Sequence, residues 1–324
     1  MTLLVLRALG LGDGLTAVPA LRGLRRLAGD RELVLACAHP VAGLLQAHGI
    51  VDAVLPTAGL DDTPPGTLLR RRTGNRHVAV NLHGRGPLSH RLLQAGEPDA
   101  LVTFACREAG VAGPLWHADE HEVSRWCRLV TWAGGGCGTG DLLLGEPGDR
   151  SGPVVVHPGA ASRSRRWPPE RWAAVARTLA GEGHDVVVTG SGPEESRAAS
   201  AVVAGAGLPA AADLGGRLDL PALADLVRWA RLVLCGDTGV SHLATAWGTP
   251  SVTLFGPTSP RLWGPPAAGP HEVLWHGAAA GGEWRGDPHG DTPDPMLLAT
   301  TVEEVLAAAH LALIMQVSVP GLAP

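Results

Sequence analysis

The sequence predicts an α/β fold made of two doubly wound domains. Its 324 residues are more than twice a typical domain size of about 150 residues, so each half can bury its own core. Short runs rich in Val and Leu alternate with segments of helical periodicity, a pattern typical of βαβ units and a parallel sheet. The hydrophobic fraction of 45% is that of an ordinary folded protein.

The alternation places the elements of the first domain, residues 1–150. Strands are predicted at 3–6, 32–37 and 77–82, and helices at 15–28 and 41–48. The pattern weakens between residues 98 and 150, where glycines accumulate, and we place the domain boundary at the end of this stretch.

A second series of strands and helices fills residues 151–324. Strands are predicted at 154–156, 185–189, 232–234 and 251–255, and helices at 169–180, 220–230, 240–247 and 302–313. Two such Rossmann-like domains facing each other across a cleft form the GT-B arrangement. The sequence therefore predicts GT-B as the fold.

Charge and composition exclude several classes of protein. A net charge of −5 gives no general attraction to nucleic acid or to an anionic membrane, so any anion site is expected to be local. The five cysteines form no C-x-x-C pair, and we expect them to be buried free thiols. The N-terminal apolar run lacks a basic segment, and residues 311–319 are shorter than the roughly 20 residues of a spanning helix. These features predict a cytoplasmic protein.

The first candidate site follows the first strand, at residues 10–14 (Gly-Leu-Gly-Asp-Gly). A dinucleotide fingerprint is not favoured, because Leu15 stands where a third glycine is needed and no acid follows the second strand. Gly12 and Asp13 remain on a glycine-rich turn, where the Asp13 carboxylate has the chemistry of a general base. The alternative is that Asp13 caps the following helix.

The second candidate site lies in residues 157–168, between a buried strand and a helix that begins with proline. Ser162, Arg163 and Arg165 supply hydroxyl and guanidinium groups suited to phosphate oxygens. A solvated basic loop is the alternative. Residues 190–195 form a further glycine-containing turn of low specificity.

The third candidate site, residues 235–242, again joins a strand to a helix. Thr238 and the Gly239 N–H are placed to hold a diphosphate, and Asp237 to accept hydrogen bonds from sugar hydroxyls. His242 is a weaker candidate, because a histidine packed in a capped core helix explains it better than a role in binding does. The sequence contains no Asp-x-Asp pair, and we interpret the i, i+4 pair His117 and His121 as surface residues, so no metal site is expected.

Four segments together resemble glycosyltransferase family 9, the ADP-heptose:lipopolysaccharide heptosyltransferases. They are residues 10–13 with 19–21, residues 157–160 with 165–168, residues 237–244, and residues 254–260. The resemblance extends over essentially the whole chain. Arg165 occupies a position that is commonly Lys in the family, and residues 81–85 match a strand that more often carries Asp and Gln near its end.

The resemblance implies an inverting, metal-independent glycosyltransferase with the GT-B fold. Asp13 would be the base, the N-terminal domain would bind the acceptor, and the C-terminal domain would bind an ADP-sugar. The terminal helix would pack on the N-terminal domain. The donor is expected to be ADP-heptose or a related ADP-sugar, a co-substrate rather than a cofactor, and the acceptor a hydroxyl of a lipopolysaccharide core, a cell-wall glycan or a secondary metabolite.

Partners and alternative activities follow from the same residues. We expect a monomer that binds a nucleotide-sugar and a glycan or glycolipid, binds no nucleic acid, and makes at most peripheral membrane contact. The alternatives are a GT-B sugar-nucleotide epimerase and a non-catalytic scaffold that binds nucleotide-sugars. An epimerase would be distinguished from a transferase by whether nucleotide release depends on an acceptor. A turnover assay would distinguish a non-catalytic scaffold from an enzyme.

Overall fold

The chain folds as two compact units, Met1–Leu144 and Gly145–Pro324. The structure, a computed structural model, describes residues 2–57, 59–60, 76–278 and 284–317. Within these residues each unit has a five-stranded parallel sheet with helices around it. The predicted α/β fold of two Rossmann-like domains is confirmed.

The first sheet has the strand order β3-β2-β1-β4-β5. Its strands are β1 (Thr2–Leu6), β2 (Leu33–Cys37), β3 (Ala53–Pro56), β4 (His77–Asn81) and β5 (Ala100–Val102). The helices of this unit are α1 (Leu11–Thr16), α2 (Val18–Ala28), α3 (His39–Ala47), α4 (Leu88–Gln94) and α5 (Glu122–Trp132). The strand order reverses between β1 and β4, and the carboxyl ends at such a point are where doubly wound sheets bind ligands.

The glycine-rich segment after β1 is helical, which corrects the predicted turn. Helix α1 begins at Leu11, and Gly10 provides the extended residue that precedes it. A side chain at Gly14 would overlap Val41, so glycine is needed for α1 to pack closely on α3. The glycines therefore serve packing, and Asp13 lies in the first turn of a helix.

The second sheet has the order β10-β9-β8-β6-β7, which reverses between β6 and β8. Its strands are β6 (Val154–His157), β7 (Val186–Val188), β8 (Leu232–Gly236), β9 (Ser251–Leu254) and β10 (His271–Leu274). The helices are α6 (Pro169–Gly181), α7 (Gly192–Ala206), α8 (Leu220–Trp229), α9 (Gly239–Trp247), α10 (Pro260–Trp263), α11 (Pro295–Ala299) and α12 (Val302–Val317). The β-branched composition of β6 and β7 suits strands that are covered on both faces.

The terminal helix α12 packs within the second unit. Val305 and Ala309 are fully buried in the core that also contains Val252 and Leu254 of β9. Further contacts join α12 to α6, β8 and β10. The resemblance implied packing on the first domain, whereas the small apolar face of α12 fits against the second sheet.

Two cysteines form a disulfide, which corrects the expectation of five free thiols. Cys127 on α5 is bonded to Cys137, and their Cα atoms are 5.2 Å apart. The intervening glycines turn the chain back toward the helix, with Gly134 at a φ of +90°. Cys37 and Cys235 are buried free thiols as predicted, while Cys106 is half-buried.

Candidate functional site

Asp13 is positioned at the carboxyl end of β1 by the buried guanidinium of Arg7. The Arg7 side chain is 1% exposed, whereas the Asp13 side chain is 31% exposed. Arg7 Nε donates to the Asp13 carbonyl oxygen at 2.9 Å, and Nη2 donates to Asp13 Oδ1 at 3.2 Å. Arg7 Nη1 also donates to the carbonyl oxygen of Leu82, beyond the end of β4, at 2.5 Å. The two strands at the reversal point are therefore joined through Arg7.

Glu122, the first residue of α5, neutralises Arg7 from the other side. Arg7 Nη2 donates to Glu122 Oε1 at 2.9 Å, and the same oxygen accepts from Trp126 Nε1 at 2.7 Å. The second Glu122 oxygen forms an ion pair with Arg125. Arg125 stacks over the Trp116 ring at 4.3 Å, and Arg7 over the Trp126 ring at 4.8 Å.

The surroundings of Asp13 raise its pKa. Burial is the main cause, and the Glu122 charge acts in the same direction, while the Arg7 charge and the nearby N–H of Gly10 lower it. Asp13 is not at the N-cap position of α1, which Gly10 occupies. A carboxylate that is partly exposed and has a raised pKa has the properties of a general base.

His83 lies next to this group, after the end of β4. Burial and the positive charge of Arg7 lower its pKa to about 4, so the ring is neutral at pH 7. Its N–H group on the backbone donates to Asn81 Oδ1 at 2.9 Å. Among the described residues, nothing forms a hydrogen bond with His83 Nδ1. This ring nitrogen is buried, and only the electrostatic effect of Arg7 on the ring links His83 to the candidate site.

Arg165 is the arginine of the second unit that reaches the reversal point of its sheet. The turn Arg163–Arg165 follows β6, and Arg165 Nη1 donates to the Asp237 carbonyl oxygen, after β8, at 3.2 Å. Two buried polar atoms here, Arg165 Nε and Ser164 Oγ, have no hydrogen-bond partner within the described part of the chain. A side chain at Gly236, the last residue of β8, would come within 3.1 Å of the Arg165 carbonyl oxygen, so glycine favours the close approach of the β6 loop to the end of β8.

The other predicted residues of this loop have different surroundings. Ser162 is half-buried and Arg163 is exposed. Arg166 donates to the Ala160 carbonyl oxygen at 2.8 Å and pairs with Glu194 at 2.7 Å. The basic residues of this run therefore have different partners, and Arg165 is the one that contacts the loop after β8.

Asp237, Thr238 and Gly239 lie together where β8 leads into α9. Asp237 is 6% exposed. Thr238 caps the helix, because its Oγ1 accepts from the Val240 N–H at 3.2 Å. Gly239 begins a nine-residue helix whose free N–H groups attract anions. His242, on the same helix, packs edge-on against the Trp263 ring at 6.0 Å.

A pair of side chains that was not among the predicted site residues, buried His157 and half-buried Glu195, lies at the start of the β6 loop. His157, the last residue of β6, shares a hydrogen bond with Thr189 Oγ1 at 3.0 Å through Nδ1, and its Nε2 lies 3.8 Å from Glu195 Oε2. Burial lowers the pKa of His157, and the Glu195 charge opposes this effect. Glu195 also accepts from the Ser191 N–H and hydroxyl at 2.8 and 2.9 Å. The weak glycine signal at residues 190–195 was the indication in the sequence.

Residues 284–294 pack on the same loop. The Ser164 N–H donates to the Gly290 carbonyl oxygen at 3.0 Å, and the Asp294 N–H donates back to the Ser164 carbonyl oxygen at 3.1 Å. Gly286 donates to the carbonyl oxygen of Pro257 at 3.0 Å, which fastens the segment to the loop after β9. The loops after β6 and β9 are thus held by one segment that comes later in the chain.

No cluster of three or more His, Cys, Asp or Glu side chains able to hold a metal ion occurs among the described residues. His121, a weak candidate ligand, instead caps α5, since its Nδ1 accepts from the Val123 N–H at 3.2 Å. In the same part of the chain, no helix is long and apolar enough to cross a lipid bilayer.

Part of the second unit matches a known family. Residues 147–279 match the family described as glycosyltransferase family 9 (heptosyltransferase), which confirms the resemblance over this range. Lipopolysaccharide heptosyltransferase 3 of Escherichia coli is 32% identical over 114 residues, which are 35% of this chain and 33% of that protein. The alignments with curated relatives therefore span about a third of the length of those proteins.

Solved structures match the fold over nearly the whole chain. The Escherichia coli ADP-heptose lipopolysaccharide heptosyltransferase II aligns with a TM-score of 0.76 at 19% identity, covering 98% of this chain and 100% of that one. The iron-containing dodecameric glycosyltransferase TibC from enterotoxigenic Escherichia coli aligns with a TM-score of 0.58 at 14% identity, covering 96% of this chain and 75% of that one. These similarities establish the GT-B fold.

Proposed function

We propose that this chain, whose residues 147–279 match glycosyltransferase family 9, transfers a heptose or related sugar from an ADP-sugar to a hydroxyl acceptor. The observation that carries the proposal is the contact of Arg165 with the Asp237 loop at the reversal point of the second sheet. This contact lies inside the range that matches the family. The names of the relatives favour a lipopolysaccharide core as the acceptor.

The donor diphosphate has suitable partners on the second unit. Arg165 has a buried Nε without a partner among the described residues, and Ser164 has an equally buried hydroxyl. The amide groups at the start of α9 add a partial positive charge. Together these groups would stabilise the departing ADP without a divalent ion. Asp237 would accept hydrogen bonds from sugar hydroxyls.

Asp13 would act as the base in an inverting displacement. The acceptor oxygen forms a bond to the anomeric carbon as the bond from that carbon to the ADP oxygen breaks, and the acceptor proton passes to Asp13. Partial burial and a raised pKa suit this role, because the carboxylate must take up a proton during the reaction. Three further statements stay predictions: the identity of the acceptor, the monomeric state and the cytoplasmic location.

Asp13→Asn tests the proposal. We expect transfer from ADP-heptose to a heptose-deficient lipopolysaccharide to fall by about 10²–10⁴-fold, the usual effect of removing a general base. Affinity for ADP-heptose, measured by calorimetry, should stay close to that of the wild type, since the donor groups lie on other residues. Asp30→Asn is the matched control, because Asp30 is exposed in the same unit.

Other outcomes would favour a different function. A large loss of ADP-heptose affinity in Asp13→Asn would contradict the role as base. Release of ADP from wild-type protein without any acceptor would favour an epimerase or hydrolase. Tight donor binding with no turnover toward lipopolysaccharide, cell-wall glycan or small-molecule hydroxyl acceptors would favour a non-catalytic binding protein.

A further inference from the structure

We propose that Arg7, anchored by Glu122, is a positioning residue that orients the Asp13 carboxylate and keeps it charged until an acceptor proton arrives. The inference rests on the proposed function of Asp13 as the base. It assigns roles to Arg7 and Glu122. Sequence patterns alone do not distinguish these two residues from an ordinary buried ion pair.

The hydrogen bonds of Arg7 define its orientation. A guanidinium is a rigid planar fork of N–H donors. Nε donates to the carbonyl oxygen of Asp13, Nη1 to that of Leu82, and Nη2 to Asp13 Oδ1, Thr16 Oγ1 and Glu122 Oε1. These acceptors lie on α1, on the residue after β4 and on α5. Arg7 therefore ties Asp13, through both its main chain and its side chain, to the other elements around the reversal point.

The two acidic partners of Arg7 differ in a way that indicates separate roles. Glu122 is about 6% exposed, and Trp126 and Arg125 satisfy its two oxygens in addition to Arg7. Asp13 is 31% exposed, and its bond with Arg7 is longer, 3.2 Å against 2.9 Å for Glu122. A buried arginine requires one close anion to offset the cost of leaving water. Glu122 meets that requirement, which leaves Asp13 as an accessible carboxylate held from one side.

The charges around Asp13 act in opposite directions. Arg7 lowers the pKa of Asp13, whereas Glu122 raises it, and Arg125 partly neutralises Glu122 from α5. His83, after β4, is neutral at pH 7. The Cys37 thiol at the end of β2 is also neutral, because burial raises its pKa. Arg7 and Glu122 are therefore the charged neighbours that shift the pKa of Asp13, in addition to burial, which is the main cause.

Variants of the two residues should shift the titration of Asp13 in opposite directions. Glu122→Gln removes a negative charge, so the anionic form of Asp13 becomes easier to form and its pKa should fall by about 1 unit. Arg7→Gln removes a positive charge, and the pKa should rise by about 1 unit or more. The direct measurement is a ¹³C NMR titration of protein labelled at the aspartate carboxyl carbons, which needs neither substrate.

The pH dependence of kcat/KM for ADP-heptose provides the second measurement. The acidic limb should move to lower pH in Glu122→Gln and to higher pH in Arg7→Gln. Arg7→Lys should restore most of the pKa, because it restores the charge. Its kcat should stay below that of the wild type while the KM for ADP-heptose is unchanged, because an ammonium lacks the planar fork.

Controls separate positioning from folding. The double variant Arg7→Gln/Glu122→Gln removes both charges of this pair, and Arg125 keeps its bonds to the carbonyl oxygens of His117 and Glu120, at 3.1 and 2.7 Å. It therefore provides a folded reference if Arg7→Gln unfolds, and Glu122→Gln, which lacks the same Arg125 partner, is its direct comparison. Its Asp13 pKa should lie between those of the single variants. Arg128→Gln is the matched control on α5, since Arg128 pairs with Glu120 at 2.7 Å, and it should leave the Asp13 titration unchanged.

Two kinds of failure can be told apart. Either of two results would overturn the positioning role, even if the wild type is active. One is an Asp13 titration in folded Arg7→Gln that equals that of the wild type. The other is an Asp13 titration in the double variant that equals that of Glu122→Gln. Absence of transfer by the wild type would instead overturn the proposed function, and the NMR titration would still decide whether Arg7 controls Asp13.

Discussion

At the scale of single residues, the three arginines of the loop after β6 have different surroundings. Arg165 contacts the Asp237 loop, Arg166 pairs with Glu194, and Arg163 is exposed. These differences arise because the side chains point away from different sides of a short 3₁₀ turn. We therefore expect phosphate binding to depend on the position of one guanidinium more than on the number of basic residues in the loop.

Arg165→Ala should weaken the binding of ADP and ADP-heptose by about 10- to 100-fold, the equivalent of one or two hydrogen bonds to a charged group. Adenosine binding should change little, because adenosine carries no phosphate. Calorimetry with the three ligands makes the comparison. Arg177→Ala is the control, since Arg177 lies on the exposed face of α6. Equal weakening of all three ligands would show that Arg165 shapes the pocket without contacting phosphate.

At the scale of elements, loops hold one another in place at the reversal point of the second sheet. Residues 284–294 exchange backbone hydrogen bonds with Ser164 and Pro257. Asp294 ends this segment and is 5% exposed. Its Oδ1 caps α11 by accepting from the Met296 N–H at 2.9 Å, and its Oδ2 accepts from Trp284 Nε1 at 3.2 Å. The position of the loop after β6, which we propose binds phosphate, thus depends on a side chain about 130 residues further along the chain.

Asp294→Ala should lower the free energy of unfolding by about 1–2 kcal/mol, through loss of the helix cap and of the Trp284 bond. It should also weaken ADP binding, because the segment that holds Ser164 is loosened. Urea unfolding and calorimetry provide the two measurements. Asp294→Asn should retain most of the stability, since asparagine caps helices equally well. If the Asn variant were as unstable as the Ala variant, the cap would not be the cause.

At the scale of the whole molecule, the positive charge that we propose binds a diphosphate is local in a chain whose net charge is −5. In the proposed site, Arg165 and the start of α9 would supply it at the reversal point of the second sheet. TibC, which shares the fold at 14% identity, is described as iron-containing. Metal independence of this chain is therefore a prediction that needs its own measurement.

Transfer from ADP-heptose should continue at an undiminished rate in excess EDTA, because protein groups stabilise the leaving diphosphate. Rates with and without EDTA, and after addition of Mg²⁺ or Mn²⁺, make the test. Adenosine binding, which involves no phosphate, is the control for an effect of the chelator on the fold. Complete loss of transfer that a divalent ion restores would contradict the prediction and return attention to His117, His121 and Glu194.

Much of the fold could be predicted from the sequence, because the signals are local. The alternation of apolar runs with helical periodicity located strands such as β1 and β6, and glycine and proline marked the loops that follow them. Since the parallel strands of a sheet present their carboxyl ends at one edge, Asp13 could be assigned to that edge of the first sheet, and Arg165 and Asp237 to that edge of the second sheet. The short strand β10, with half-buried residues, carried too weak a pattern to predict.

The sequence by itself determined the α/β architecture, the strand-to-helix loops that carry the candidate site, and the resemblance to a family. The tertiary structure alone decided which side chains meet. Arg7 and Glu122 are 115 residues apart, Arg165 and Asp237 are 72 apart, and the bond of Cys127 with Cys137 depends on how the glycines between them turn. Propensity and periodicity act over a few residues, whereas these contacts exist only after helices and sheets pack, so no local pattern records them.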